Sequence, residues 1–296
     1  MALPTYATPI QRTYYYLYLF FCGVVFFFLI APLVAIIPIS FSKSPFMLFT
    51  DGMLAWPPDP EAWSFRWYRY MVGICNDPNL TTPCSNKWMV GTRNSFFIGF
   101  VSTFIATVLG TLAALGLSRP HMPFKALIMS ILISPMIVPL IITAAGMFFF
   151  YAKVNLVYTF TGIILAHVAL STPFVVITVT ATLVGFDTNM TKAAQSLGAR
   201  PMRTFFKVMM PLILPGVISG ALFAFITSFD EVVVVMFMAS LDELTIPKQM
   251  WAGIRQEISP IILCMATCLV ILSIVLLTTV ELLRRRSERM RGITAR

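Results

Sequence analysis

The sequence predicts an all-α, polytopic membrane protein with six transmembrane helices, and two observations carry this prediction. Hydrophobic residues make up 58% of the 296 residues and charged residues only 11%, against about 45–50% and about 25% in soluble domains. In addition, six apolar runs reach the roughly 20 residues with which a helix crosses the hydrocarbon layer. The composition therefore excludes a soluble enzyme and a disordered chain.

The first apolar run is too long for a secretory signal, and no small-residue cleavage site follows it. We therefore predict an N-terminal segment at residues 1–16, a first transmembrane helix at 17–39 and an external loop at 40–94. Within that loop, Glu61–Gly73 mixes Trp, Tyr and Arg as interfacial helices do, and a basic tail occupies 284–296. The six runs are Leu17–Ile39, Ser95–Leu117, Ala126–Phe150, Leu156–Val184, Val208–Met238 and Ile261–Leu283.

The distribution of basic residues predicts that both termini are cytoplasmic. Thirteen of the 21 Lys and Arg residues fall in the terminal segments and the even-numbered loops. The opposite face has eight, and seven acidic residues nearly cancel them. The more basic side of a membrane protein stays in the cytoplasm. The excess of basic residues behind the net charge of +9 is therefore explained by the orientation of the chain in the membrane. Nucleic acid is not an expected partner.

The external loop contains Cys75 and Cys84. On the oxidising side of a bacterial inner membrane these two residues either form a disulfide or remain free thiols. The other three cysteines lie within predicted spans and are expected to pack there. With no CxxC pair and only two His, the chain is expected to bind no metal and no cofactor.

A polar stretch at residues 185–207 (GFDTNMTKAAQSLGARPMRTFFK) separates the fourth and fifth spans. It is too polar to cross the membrane, and Thr191–Leu197 is predicted to form a short cytoplasmic helix. On composition alone, an ordinary loop that contacts lipid phosphates is the simplest interpretation. The spacing favours another one: Ala193-Ala194, three residues, Gly198, nine residues, then Val208-Met209-Met210-Pro211.

This spacing closely resembles the EAA signature of ABC-importer permeases, Glu-Ala-Ala-x3-Gly-x9-Ile-x-Leu-Pro. The chain has Lys192 where the family has Glu, and Val208 and Met210 where it has Ile and Leu. The resemblance covers about residues 91–283 and implies a type I permease core of five transmembrane helices with a coupling loop at about 186–207. The residues implied to contact the ATPase are Lys192, Ala193, Ala194, Gln195, Leu197, Gly198 and Ala199.

The same resemblance implies partners in the bacterial inner membrane and on both sides of it. Such permeases pair with a second permease, most simply as a heterodimer, with two ATP-binding subunits and with a periplasmic solute-binding protein. The chain has no GxxxxGK[ST] phosphate loop. We therefore expect a non-catalytic subunit, with ATP and Mg bound on the partner ATPase.

Three features resemble the spermidine/putrescine permeases in particular: Ser64–Tyr68, His167 followed by Pro173-Phe174, and Ser228–Val232. They imply a polyamine or a related small organic cation as cargo. Amino acids, opines, phosphonates and ferric ion are the alternative cargoes for the same machinery. An intramembrane enzyme is a remote alternative, because it would need a cluster of catalytic side chains within the spans.

Ionisable residues within membrane spans cost about 2.5–3.5 kcal/mol each on insertion scales and are functional candidates for that reason. Asp230 and Glu231, with Ser228 beside them, are predicted to line the substrate pathway on one helix. The alternative is that one acid caps a helix break or pairs with a partner's cation. His167 is either a pathway residue or a hydrogen-bonded packing residue. In the external loop 241–260, the acidic residues Asp242, Glu243 and Glu257 are predicted to be solvated.

Overall fold

The computed structural model describes residues 8–75, 86–119, 121–256 and 258–290. These ranges divide into two compact units, one formed by residues 87–252 and the other by the segments before and after it. Apart from one isolated bridge between Ser42 and Trp63, the regular secondary structure of the described ranges is helical. The α-helices, in chain order, are α1 Pro9–Ser40, α2 Asp51–Leu54, α3 Arg66–Met71, α4 Lys87–Leu117, α5 Lys125–Ile137, α6 Leu140–Lys153, α7 Phe160–Val184, α8 Asn189–Ser196, α9 Pro201–Thr204, α10 Met210–Phe229, α11 Val233–Met238, α12 Ile246–Gln256 and α13 Ile261–Met290.

Five helical segments of the described chain are long and apolar enough to cross a membrane, and a bent pair of helices makes a sixth. That pair is α5 and α6, which meet at an angle of 103°. A single helix over Ala126–Phe150 is therefore a wrong prediction. Pro139 has no N–H to donate, and it holds Val138 in an extended conformation (φ −71°, ψ 135°). The helix consequently ends before this proline.

Within the unit 87–252, small residues allow α4, α7 and α10 to pack closely. A Cβ added to Gly110 on α4 would lie 2.6 Å from Cβ of Val175 on α7. One added to Gly220 on α10 would lie 3.0 Å from the Cα of the same valine. Both glycines therefore permit a backbone approach that any larger residue would prevent, as is usual between membrane helices.

In the other unit, hydrogen bonds join the end of α1 to the short helix α3. The hydroxyls of Ser40 and Tyr68 lie 2.7 Å apart, and Nε1 of Trp67 donates to the carbonyl of Ser42 at 2.9 Å. The thiol of Cys264 on α13 donates to the Ser40 carbonyl at 3.3 Å. Only Arg66–Met71 of the predicted interfacial segment forms an α-helix, and a 3₁₀ turn at Pro60–Ala62 precedes it.

Candidate functional site

The spacing around Gly198 has a structural cause at the end of α8. Gly198 has a φ of +81°, which glycine adopts without steric cost. Its N–H donates to the carbonyl of Gln195 at 2.9 Å, and the N–H of Ala199 donates to the carbonyl of Ala194 at 3.0 Å. These two bonds form a Schellman ending. The glycine thus stops the helix and turns the chain towards α9.

The surface around this ending is open and partly apolar. Leu197 is 89% exposed, and Met190, Met202 and Phe206, which lie within nine positions of it in the chain, are also exposed. Lys192 is exposed as well, and a Cβ added to Gly198 would meet nothing within 4 Å. Exposed apolar side chains in a polar segment that does not cross the membrane are candidates for protein contacts. Of the predicted coupling residues, Lys192, Ala193, Gln195, Leu197 and Gly198 are exposed, while Ala194 and Ala199 are half-buried.

Asp230 and Glu231 lie at a helix break, so the prediction of one continuous span over Val208–Met238 is wrong. Their predicted place in the substrate pathway stays a prediction. Helix α10 ends at Phe229 and α11 begins at Val233. The carboxylate of Glu231 accepts hydrogen bonds from the N–H groups of Val234 (2.9 Å) and Val235 (3.2 Å). These bonds take the place of carbonyl acceptors one turn earlier, which is how a polar side chain ends one helix and starts the next.

A buried polar group joins this break to α7. Nδ1 of His167 lies 2.8 Å from Oγ of Ser228, and Nε2 of His167 lies 3.8 Å from Oε2 of Glu231. All three residues are buried. If the Ser228 hydroxyl donates to Nδ1, the ring proton sits on Nε2, the nitrogen 3.8 Å from the carboxylate. These contacts favour the packing role for His167 and the capping role for Glu231.

The two neighbouring acids have different surroundings. Glu231 is 6% exposed and its carboxylate oxygens are occupied by backbone N–H groups. Asp230, by contrast, is exposed, and its backbone N–H completes α10 by donating to the carbonyl of Ile226 at 3.0 Å. The break therefore presents one carboxylate outward and keeps the other inside the fold.

The segment between α11 and α12 is fixed by α4. Nδ2 of Asn94 donates to the carbonyls of Asp242 (2.8 Å) and Leu244 (3.0 Å). Oγ of Ser95 accepts from the N–H of Ile246 at 2.8 Å. The sequence alone did not assign this role to Asn94 and Ser95. A polar pair at the start of a long apolar helix was the available signal.

Glu243, in the same segment, is 7% exposed, so the prediction that it is solvated is wrong. It accepts hydrogen bonds from both the N–H and the hydroxyl of Ser240, which closes a local turn. Nearby, Nζ of Lys248 donates to the carbonyl of Ala239 at 2.7 Å. Burial lowers the pKa of Lys248, and the negative charge of Glu243 opposes that shift. Asp242 is exposed as predicted, while Glu257 lies outside the described residues.

The possible disulfide between Cys75 and Cys84 stays untested, because Cys84 lies outside the described residues. Cys22, Cys264 and Cys268 are free thiols, and Cys264 is buried. Among the residues that the structure describes, no three His, Cys, Asp or Glu side chains are grouped as metal ligands would be.

The known proteins to which this chain is similar in sequence are membrane components of transport systems. The family described as "Binding-protein-dependent transport system inner membrane component" matches residues 106–289. The chain is 28% identical over 268 residues to the spermidine/putrescine transport system permease protein PotC of Haemophilus influenzae, covering 90% of this chain and 96% of that protein. It is 27% identical over 265 residues to PotC of Escherichia coli K12 (90% and 92% covered). The putrescine transport system permease protein PotI of the same strain is 26% identical over 270 residues (88% and 86% covered).

Among solved structures, the chain is similar to a bacterial ABC transporter involved in the import of the acidic polysaccharide alginate. The TM-score is 0.68 at 15% sequence identity, and the match covers 96% of this chain and 99% of the other. At this identity the likeness concerns the fold.

Proposed function

The chain belongs to the inner-membrane components of binding-protein-dependent transport systems, and we propose that its importer carries polyamines. Membership makes it a transport permease subunit and not an enzyme, because these importers hydrolyse ATP on a separate subunit. The predicted fold class, an all-α membrane protein of the type I ABC-importer permeases, is confirmed. The protein is a multi-pass protein of the inner membrane.

The main support for polyamines as the substrate is the near full-length similarity to three polyamine permeases. The exposed carboxylate of Asp230 supports it on physical grounds. A carboxylate that faces a pathway attracts a polycation and repels an anion such as a phosphonate.

The experiment that tests the cargo is uptake into proteoliposomes that contain the whole importer with ATP enclosed. We expect saturable, ATP-dependent uptake of radiolabelled spermidine and putrescine when the solute-binding protein is added outside. An importer that lacks this subunit is the control and should accumulate neither compound. Uptake of an amino acid or a phosphonate in place of both polyamines would contradict the proposal.

For coupling, we propose that α8 contacts the ATP-binding subunit through its exposed surface around Leu197 and Gly198. A turn at residues 197–200 joins α8 to a continuous helical stretch, Pro201–Phe229, made of α9, a π-helical turn at Phe205–Met209 and α10. Because this stretch begins next to α8 and ends at the break that holds Asp230, we propose that it transmits a displacement of α8 towards the acid. Rigid-body movement of packed helices is the usual way to switch a transporter between two states.

The remaining partners follow from the same proposal. The chain pairs with a second permease, two ATP-binding subunits serve the pair, and a periplasmic solute-binding protein delivers the cargo. ATP and Mg bind the ATP-binding subunits. Permeases of this family work with such partners in general.

Both termini are proposed to be cytoplasmic, and thiol labelling tests this orientation. In a cysteine-free background, Asp59→Cys is expected to react with a membrane-impermeant maleimide on intact cells, because residue 59 lies in the external loop. Ser287→Cys is the matched variant in the basic tail and should react only after the cells are permeabilised. Labelling in the opposite order would reverse the orientation and place α8 on the outside.

A further inference from the structure

Four phenylalanine rings form a closed cluster on the neighbouring faces of α4 and α10. The ring centroids of Phe96 and Phe100 on α4 lie 6.0 Å apart, and those of Phe225 and Phe229 on α10 lie 5.4 Å apart. Across the two helices, Phe100 lies 5.1 Å from Phe225 and Phe96 lies 5.2 Å from Phe229. Each ring thus contacts two others.

The backbone of α4 is shaped to receive this cluster. A Cβ added to Gly99 would lie 3.1 Å from Cε2 of Phe225, so the ring lies almost against the helix backbone. Phe100 is 61% exposed and the other three rings are half-buried. The cluster therefore exposes aromatic carbons on one side, while the Phe225 ring packs against the α4 backbone on the other.

The charge of Asp230 disfavours an arrangement in which this surface faces the lipid chains. It follows Phe229 directly and is exposed, and a carboxylate placed in hydrocarbon costs about 2.5–3.5 kcal/mol on insertion scales. The side of the break that presents Asp230 consequently faces water or a charged molecule. An acid that directly follows one ring of an aromatic cluster suits an organic cation, because aromatic rings attract a cation through their negative faces.

We propose that this permease passes a polyamine through a subsite formed by Asp230 and the four rings of Phe96, Phe100, Phe225 and Phe229. This proposal rests on the proposed function. A polyamine alternates ammonium groups with methylene segments. Asp230 pairs with one ammonium group, and the rings contact the others and the methylenes between them. One acid together with uncharged rings holds a polycation less tightly than several acids would. Transport requires this, because a site must bind well enough to admit its substrate and weakly enough to release it.

The test compares ring substitutions in the complete importer reconstituted in proteoliposomes, with radiolabelled spermidine as the probe. Phe225→Leu keeps an apolar side chain and removes the ring, and we expect kcat/KM for uptake to fall about five-fold, as loss of a cation–π contact does. Phe225→Tyr keeps the ring and should retain most of the uptake that Phe225→Leu loses. Phe223→Leu is the matched control, because Phe223 lies on α10 but stacks on Phe174 of α7; its uptake should be unchanged.

Phe100→Leu provides a second measurement should Phe225→Leu impair assembly, since the Phe100 ring is mostly exposed. It should also lower kcat/KM about five-fold at a wild-type yield of assembled complex. Wild-type uptake by both leucine variants would overturn the aromatic subsite, as would a Phe225→Tyr variant as impaired as Phe225→Leu. If the unsubstituted importer takes up no polyamine, the proposed cargo fails and the subsite fails with it. Normal spermidine uptake by the unsubstituted importer and by both leucine variants rejects the subsite alone.

Discussion

Replacing Gly198 with tryptophan is expected to abolish substrate uptake while the protein still inserts in the membrane. The φ of +81° is one reason, because a residue with a Cβ pays about 1–2 kcal/mol in the left-handed region. The second reason is larger. A Cβ at this position would meet nothing within 4 Å of its own chain, so an indole ring would project from the surface that we assign to the ATP-binding subunit. The measurements are uptake and co-purification of that subunit.

Two variants separate these reasons. Gly198→Asn should retain most of the uptake, because asparagine tolerates the left-handed conformation and adds little bulk. Gly23→Trp tests bulk alone, since a Cβ added to Gly23 on α1 also meets open space; we expect normal uptake and normal co-purification. A Gly198→Trp protein that transports at the wild-type rate would refute the contact between α8 and the ATP-binding subunit.

The position of α8 could be predicted because its ending depends on local sequence. The Schellman hydrogen bonds join residues only three and five apart along the chain, and the left-handed residue that they need is glycine. Any sequence that repeats this spacing repeats the turn. The exposure of Leu197 could not be predicted in the same way, because it depends on which other elements cover the helix.

The helix breaks show where sequence reasoning stops. Pro135, Pro173 and Pro215 lie inside continuous helices, whereas Pro139 ends one. The residue type is the same in each case, so the outcome depends on whether neighbouring groups satisfy the carbonyls that a proline leaves free. A local pattern does not contain that information.

The break at Glu231 has no glycine or proline beside it. At this break the Glu231 side chain bonds to backbone N–H groups. His167, which lies 64 positions earlier in the chain, is 3.8 Å from the same carboxylate. Two acids before the apolar run Val232–Met238 were the signal that a new helix starts there, because acidic residues favour the first turn of a helix. Contacts between distant positions decided which acid turned inward.

Neutralising Asp230 is expected to reduce polyamine uptake at least ten-fold without reducing the yield of assembled importer. A unit charge pair about 4 Å apart interacts by about 4 kcal/mol at an effective dielectric of 20, and desolvation of the two groups offsets part of this attraction. Asp230→Asn keeps the size and polarity of the side chain and removes the charge. The measurement is kcat/KM for spermidine and putrescine uptake in proteoliposomes, with solute binding by the isolated binding protein as the control.

Glu231→Gln is the matched variant, and it should fail differently. Glutamine has one acceptor oxygen where the carboxylate has two, so one of the buried N–H groups of Val234 and Val235 loses its partner. An unsatisfied buried donor costs about 1–3 kcal/mol. We therefore expect a lower midpoint of thermal unfolding for the assembled importer and a reduced yield, with uptake falling as a consequence. The double variant should be worse than either single change.

A comparison of spermidine uptake with putrescine uptake shows whether Asp230 interacts with the substrate or stabilises the structure. Spermidine carries one more ammonium group than putrescine, so a carboxylate that attracts the cargo as it loses water should matter more for spermidine. Asp230→Asn should thus lower spermidine uptake by a larger factor than putrescine uptake. Glu231→Gln should lower both by the same factor, because a loss of folded protein does not depend on the cargo. Equal losses of the two cargoes in Asp230→Asn, together with a lowered unfolding midpoint, would make Asp230 a structural residue and leave the outward face of the break without a charge for a polycation.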